Sequence, residues 1–122
     1  MGINIRYKSL TFEPGIFIRG EEVDATISYT VLVDVEGDNP VKFTLEVPQD
    51  SPFYFIADGV KKKKTTWQEN INEGDYQTYQ KEITVGVRPA SGPITSVFAT
   101  ITGKTNNNET SADSRVIRHK NG

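Results

Sequence analysis

The chain has no cysteine, a single histidine and no long apolar run in its 122 residues. The absence of cysteine excludes disulfides, thiolate zinc sites and cysteine nucleophiles. The histidine, His119, lies close to the end of the chain, where we expect neither a transition-metal site nor a rigidly held catalytic base. No apolar segment approaches the roughly 20 residues that a membrane-spanning helix requires. We therefore expect no membrane insertion.

The composition is that of an ordinary soluble domain, with 35% hydrophobic and 25% charged residues. A net charge of −2 and a pI near 5.4 give no basic excess that would indicate a nucleic-acid partner. A chain of this length can bury one core. We predict a single domain over residues 1–122, monomeric in isolation and either complete or part of a larger surface protein.

The N-terminus carries no apolar signal segment, and this leaves the location open between two cases. If the chain is a fragment of a larger protein, we predict an extracellular or cell-surface location. If it is the full natural product, we predict a cytoplasmic one.

The segment Val23–Val35 carries the clearest pattern in the sequence, because every second residue is apolar. Those residues are Val23, Ala25, Ile27, Tyr29, Val31, Val33 and Val35. Side chains alternate between the two faces of a strand, so this spacing buries one face and exposes the other. The pattern predicts a long antiparallel strand.

Other alternating or apolar segments are separated by clusters of glycine, proline, asparagine and aspartate. They predict strands at Ile3–Phe12, Ile16–Ile18, Val41–Val47, Phe53–Ile56, from Thr65 onward, Tyr79–Val87, Val97–Ile101 and Arg115–Arg118. A change of phase near Ser9 indicates a bulge or a change of sheet. The unbroken apolar run Phe53–Ile56 indicates a strand covered on both faces or one that crosses between sheets. We predict an all-β, immunoglobulin-like antiparallel β-sandwich of about seven to nine strands, with a closed barrel as the alternative.

Two stretches resemble bacterial and archaeal surface immunoglobulin-like domains of the CARDB, or cell-adhesion-related, type. Phe12-Glu13-Pro14-Gly15 and Gly20-Glu21-Glu22-Val23 resemble their opening, and Trp67 followed by Asn72-Glu73-Gly74-Asp75 resembles a later segment. The chain departs from the pattern at Val35–Asn39, where those domains commonly have Asn-x-Gly. The resemblance implies a non-catalytic spacer or adhesion module.

An acidic segment at the end of the predicted Val23–Val35 strand and just beyond it is a candidate calcium site. It contains Asp34, Glu36, Asp38 and Asn39 around a glycine, and alternate carboxylates supply the hard oxygen ligands that Ca²⁺ prefers. The alternative is a plain turn, since turns favour Asp, Asn and Gly. Calcium is the one cofactor that the sequence suggests.

Aromatic and lysine residues provide two further candidates. Trp67 and Tyr76, with other tyrosines, could form a platform for a sugar, although Trp67 could equally fill the sandwich core. The run Lys61–Lys64 could bind an anionic partner, or it could keep an edge strand soluble and unpaired.

These features predict a non-catalytic structural or adhesive module of a surface or extracellular protein. Its affinity for a protein or a cell-surface glycan would lie in loops or exposed strand edges. The alternative is a ligand-binding module for carbohydrate or calcium. No pair of carboxylates stands out as suited to glycoside hydrolysis, and we predict no enzyme activity.

Overall fold

The computed structural model describes residues 4–34, 38–72, 76–89, 96–104 and 110–120. Within these ranges the chain forms ten strands and no helix that could span a membrane. The strands are β1 (Asn4–Glu13), β2 (Ile16–Ile18), β3 (Glu22–Asp34), β4 (Asp38–Glu46), β5 (Phe53–Ala57), β6 (Val60–Lys62), β7 (Lys64–Asn72), β8 (Gln77–Val87), β9 (Ser96–Lys104) and β10 (Thr110–Lys120).

The strands form two five-stranded sheets that pack face to face, which confirms the predicted β-sandwich. Sheet A has the order β1-β3-β8-β5-β6, and sheet B has the order β2-β10-β9-β4-β7. The alternation in β3 produces the core as predicted, because Ala25, Ile27, Tyr29 and Val31 have no exposed surface. The residues between them lie on the outer face of sheet A.

The predicted irregularity in the first strand is a β-bulge. The pairing of β1 with β3 shifts register between Tyr7 and Ser9, as an extra residue in one strand requires. After β1 the chain turns at Pro14 and Gly15 and enters sheet B as β2. There β2 pairs with β10 in parallel, so one pairing departs from the antiparallel arrangement that we predicted.

The last strand is longer than its apolar pattern indicates. It covers Thr110–Lys120 instead of Arg115–Arg118, because its backbone pairs with β9 and with β2. His119 consequently lies opposite Phe17 in a paired strand.

The strand that the sequence pattern missed is β6. Its residues Val60–Lys62 are all exposed, so they carry no alternation from which a strand could be predicted. Between β6 in sheet A and β7 in sheet B stands a single residue, Lys63. The lysine run therefore contains a crossover from one sheet to the other.

The apolar run in β5 is covered on both faces, which is the first of the two alternatives predicted for it. Phe53 and Phe55 have no exposed surface and belong to the core between the sheets. Tyr54 points the other way but is only 5% exposed, because its ring lies over Gly86 of β8 on the outer face of sheet A.

Candidate functional site

The four edge strands of the two sheets differ in how well they are protected. The edges β2 and β6 have three residues each, and β1 contains the bulge and lies alongside β10 of the other sheet. Short strands and bulges prevent a foreign strand from pairing. By contrast, β7 has nine residues, and each pairs with β4 in an unbroken register from Lys64 to Asn72. It is the long, regular edge among the strands described.

An aromatic cluster fixes β7 to both sheets. Trp67 of β7 donates its Nε1 hydrogen to the Tyr29 hydroxyl of β3 over 2.8 Å. The Trp67 ring also stacks on Phe43 of β4, with 5.9 Å between ring centroids. Tyr29 in turn stacks on Tyr79 of β8 at 5.7 Å. The edge strand is therefore attached through Trp67 to β4 of its own sheet and, across the sandwich, to β3 of sheet A.

Burial sets the protonation of the tyrosines in this cluster. The pKa of Tyr29 is raised to about 12, chiefly because burial removes the phenol from solvent. The hydrogen bond from Trp67 lowers this pKa by a smaller amount, and the charges of Glu69 and Tyr79 raise it slightly further. Desolvation, with a contribution from Glu69, also raises the pKa of Tyr79. Both phenols stay protonated at neutral pH, so they act as hydrogen-bonding groups of the core.

Lys63 secures the crossover that leads into β7. Its Nζ donates to the carbonyl oxygens of Ser51 and Phe53, each over 2.6 Å. Burial lowers the pKa of Lys63, and Arg88 lowers it further, while Asp50 acts in the opposite direction. One member of the lysine run is thus a structural residue.

The remaining lysines of the run do not share one surface with it. The ammonium group of Lys61 lies 4.9 Å from the centre of the Tyr54 ring, on the outer side of sheet A. Lys64 belongs to β7 in sheet B. The run therefore does not form a single anion-binding patch.

The structure gives different surroundings to the two residues predicted to bind a sugar. Trp67 is partly buried against the core, where the rings next to it are Tyr29 and Phe43. Tyr76 immediately precedes β8 and is 42% exposed. These contacts favour the packing role for Trp67, and sugar binding by Trp67 and Tyr76 stays a prediction.

The predicted calcium segment is described except at Glu36. Asp34 ends β3, Asp38 and Asn39 begin β4, and Glu36 lies between the described ranges. Among the described side chains no three acidic or histidine groups come together. Calcium binding at this segment stays a prediction.

The outer faces of the two sheets differ in chemistry. On sheet A the hydroxyls bond to one another: Ser9 donates to Thr30 over 3.0 Å, and Thr30 lies 2.8 Å from the Thr78 hydroxyl. Thr84 donates to Asp24 over 2.8 Å on the same face. Several polar side chains on this face therefore form hydrogen bonds with one another.

On sheet B the outward residues of β7, β4 and β9 form three rows across the strands. The rows are Gln68–Lys42–Lys104, Thr66–Thr44–Thr102 and Lys64–Glu46–Thr100. A cleft of about 250 Å³ lies on this face, which we call the basic cleft. It is lined by Lys42, Thr44, Glu46, Lys64, Thr102 and Lys104.

Neither the long edge formed by β7, which we call the open edge, nor the basic cleft could be located from the sequence. A residue's place at an edge, or opposite another lysine, depends on which strands pair and in which register. Lys42 and Lys104 lie 62 positions apart in the chain, and only the pairing of β4 with β9 brings them together.

Comparison with known proteins does not assign the chain to a family. No protein-family model and no curated protein matches it. Similar solved structures include a Niemann-Pick type C2 protein from the Japanese carpenter ant, with 9% identity, a TM-score of 0.48 and coverage of 95% of this chain and 91% of that one. The β-sandwich assignment rests on the strand pairing described above.

Two further solved structures match with similarly low sequence identities and TM-scores. A cohesin module from a Clostridium perfringens family 33 glycoside hydrolase has 9% identity and a TM-score of 0.43, with 98% of each chain covered. The sporulation control protein Spo0M from Bacillus subtilis has 14% identity and a TM-score of 0.39, covering 98% of this chain and 49% of that one.

Proposed function

We propose that this chain is a non-catalytic β-sandwich module that binds an extended segment of a protein partner along the edge of β7. The observation that carries the proposal is the contrast between the sheet edges. Three are short or bulged, while β7 offers nine residues in regular register. A partner strand added to such an edge gains main-chain hydrogen bonds along its length, as in other cases of strand addition.

The aromatic contacts behind β7 support this role. Binding is stronger when the binding element is already ordered, because less conformational entropy is lost. Trp67 is fixed by its hydrogen bond to Tyr29 and by stacking on Phe43. The edge is therefore preorganised for pairing, and its outward side chains at Thr66, Gln68 and Asn70 are polar and exposed.

An adhesive or structural role at a cell surface belongs to the same proposal. It is motivated by the resemblance of the Phe12–Gly15, Gly20–Val23 and Trp67–Asp75 stretches to surface domains of the CARDB type. A strand-addition edge gives such a module a way to join a neighbouring chain, and a binding module of this kind needs no catalytic group.

The proposal can be tested by selecting peptides and mapping where they bind. A library of random dodecapeptides is selected on the immobilised domain, and amide hydrogen exchange is then measured with an enriched peptide bound. We expect enriched peptides to be rich in β-branched residues and to slow exchange within β7. A selection that enriches nothing, or a peptide that protects another surface, contradicts the proposal.

A matched pair of variants, Thr65→Pro and Thr66→Pro, sharpens the test. Consecutive residues of a strand direct their N–H groups to opposite edges, so one proline removes a bond to β4 and the other removes an N–H from the open edge. We expect one variant to lose thermal stability. The other should keep its melting temperature and lose peptide binding. If that stable variant still binds the peptide with full affinity, the peptide does not add to β7.

A further inference from the structure

The basic cleft on the outer face of sheet B contains two lysines in an unfavourable arrangement. Lys42 of β4 and Lys104 of β9 are directly opposite each other in the register, which places their β-carbons about 4.5–5.5 Å apart. Like charges in directly opposed positions destabilise a sheet. The third member of the row, Gln68 of β7, is uncharged. An anion held between the two ammonium groups would remove this repulsion.

The other residues of the cleft add hydrogen-bonding groups of both kinds. Lys64 supplies a third ammonium group, and the row next to the lysine pair contains Thr44 and Thr102. Glu46 lies in the row beyond the threonines and can only accept hydrogen bonds when ionised. The cleft therefore suits a ligand that carries both an anionic group and hydroxyl donors.

A second cleft continues from the first along β4. It has a volume of about 260 Å³, shares Glu46 with the basic cleft, and is also lined by Pro48, Phe98 and Thr100. The Phe98 side chain is 59% exposed, so the second cleft offers an aromatic ring to a ligand. From position 42 to position 48 the two clefts follow the chain for roughly 20 Å, at about 3.3 Å per residue.

We infer that the outer face of β4 and β9 binds an anionic polysaccharide. A carboxylate or sulfate group lies between Lys42 and Lys104, a sugar hydroxyl donates to Glu46, and a sugar ring packs its C–H face against Phe98. An acidic sugar combines the anion with adjacent hydroxyls, whereas the side chain of an acidic residue in a peptide carries the anion without such donors. This site lies on the face of the sheet and is separate from strand addition at the edge of β7.

Binding of defined polymers to the intact domain tests this inference. The probes are heparin for sulfate groups, polygalacturonate for carboxylate groups, neutral dextran, and polyglutamate as an acidic polypeptide. Affinity is measured by isothermal titration at two salt concentrations. We expect heparin or polygalacturonate to bind, dextran and polyglutamate to bind at least about tenfold more weakly, and the affinity to fall as salt screens the lysines.

Variants locate the site on the protein. We expect Lys42→Gln with Lys104→Gln to weaken binding of the anionic polysaccharide by about tenfold or more, because two charge-assisted bonds are removed. The control, Lys61→Gln with Lys62→Gln, changes the net charge equally but lies outside the basic cleft and should have little effect. All four lysines are exposed, so both variants should remain folded, and removing the opposed charges at 42 and 104 should if anything raise the melting temperature. Phe98→Ala should weaken binding of the polysaccharide without changing the fold.

Each other outcome would overturn the inference. Equal or tighter binding of polyglutamate would show that the face takes an acidic polypeptide. Equal losses in the two lysine variants would show that the attraction is general charge and not this cleft. Failure of both anionic polysaccharides to bind would remove the site, while peptide selection on β7 would be unaffected and would still test the proposed function.

Discussion

The Tyr54 ring covers the backbone of Gly86, its direct partner on the neighbouring strand. A β-carbon built on Gly86 would lie 2.3 Å from Cζ of Tyr54, which is far inside any allowed contact. The Tyr54 hydroxyl reaches beyond Gly86 and donates to Oε2 of Glu22 on β3 over 2.7 Å. Since Glu22 is also paired with Gly86, one side chain ties three strands together on the outer face of sheet A.

We expect Gly86→Ala to destabilise the domain because the new methyl group cannot share space with the Tyr54 ring. Overpacking of this kind typically costs about 1–3 kcal/mol. The measurement is the free energy of unfolding from urea denaturation. Gly15→Ala is the control, since a β-carbon there would meet the Phe12 carbonyl oxygen at an ordinary 3.6 Å. In a Tyr54→Ala background the Gly86→Ala cost should largely vanish, and an undiminished cost would mean that the ring is not the cause.

Lys63 should contribute to stability in a way that its neighbour in the lysine run does not. In Lys63→Met the carbonyl oxygens of Ser51 and Phe53 lose a charged donor, and hydrogen bonds to charged groups are worth about 1.5–3 kcal/mol each. Lys62→Met, at an exposed position of β6, should change the free energy of unfolding by less than about 0.5 kcal/mol. Urea denaturation of both variants measures the difference. Equal effects would contradict the role of Lys63 at the crossover.

The fold was predictable from the sequence wherever every second residue of a strand is apolar and buried. The alternation in Val23–Val35 predicted β3 and its buried face. The phase change near Ser9 indicated a bulge or a change of sheet, and the structure shows a bulge in β1. The exposed strand β6 was missed because none of its side chains contacts the core. The parallel pairing of β2 with β10 was missed because strand direction follows from the route of the chain between sheets, which local alternation does not encode.

The candidate sites were much less predictable than the fold. Exposed strand edges were expected to carry affinity, but the identity of the open edge follows from strand order. The lysine run Lys61–Lys64 was visible in the sequence, yet its members separate onto two sheets. Lys42 and Lys104 are unremarkable in the sequence and become a pair only through the register of β4 with β9. The alternation of apolar residues along the sequence predicts which side chains are buried. A site on the face of a sheet depends instead on which distant strands pair and in which register.

Ile27→Asp should strongly destabilise the domain, because Ile27 has no exposed surface and the new carboxylate would be buried. We expect a loss of several kcal/mol, comparable with the total stability of ~5–15 kcal/mol for a typical domain. Ser28→Asp is the matched control on the outer face, where its partners across the strands are Gln80 and Thr11. Thr26→Asp is a poorer control, since it would lie between Glu13 and Glu82. Equal losses at positions 27 and 28 would mean that both faces of β3 are covered.

Tyr29 should make the domain lose stability above about pH 10. Its pKa is raised from 10.0 to about 12 in the folded protein, so between these values the unfolded chain releases the phenolic proton while the folded chain retains it. The folded state then binds more protons, and the free energy of unfolding falls as pH rises. Burial raises the pKa of Tyr54 and Tyr79 in the same direction, whereas the lowered pKa of Lys63 acts in the opposite sense below its ordinary value of 10.5.

The measurement is urea denaturation between pH 8 and pH 12, with tyrosinate absorbance followed in parallel. Tyr29→Phe should lower stability at neutral pH, because the Trp67 Nε1 hydrogen loses its acceptor. It should also reduce the slope of stability against pH above 10, which a packing defect alone would not do. If Tyr29→Phe retains the full slope, the phenol of Tyr29 titrates alike in the folded and unfolded chains, and its burial does not control the alkaline limit of stability.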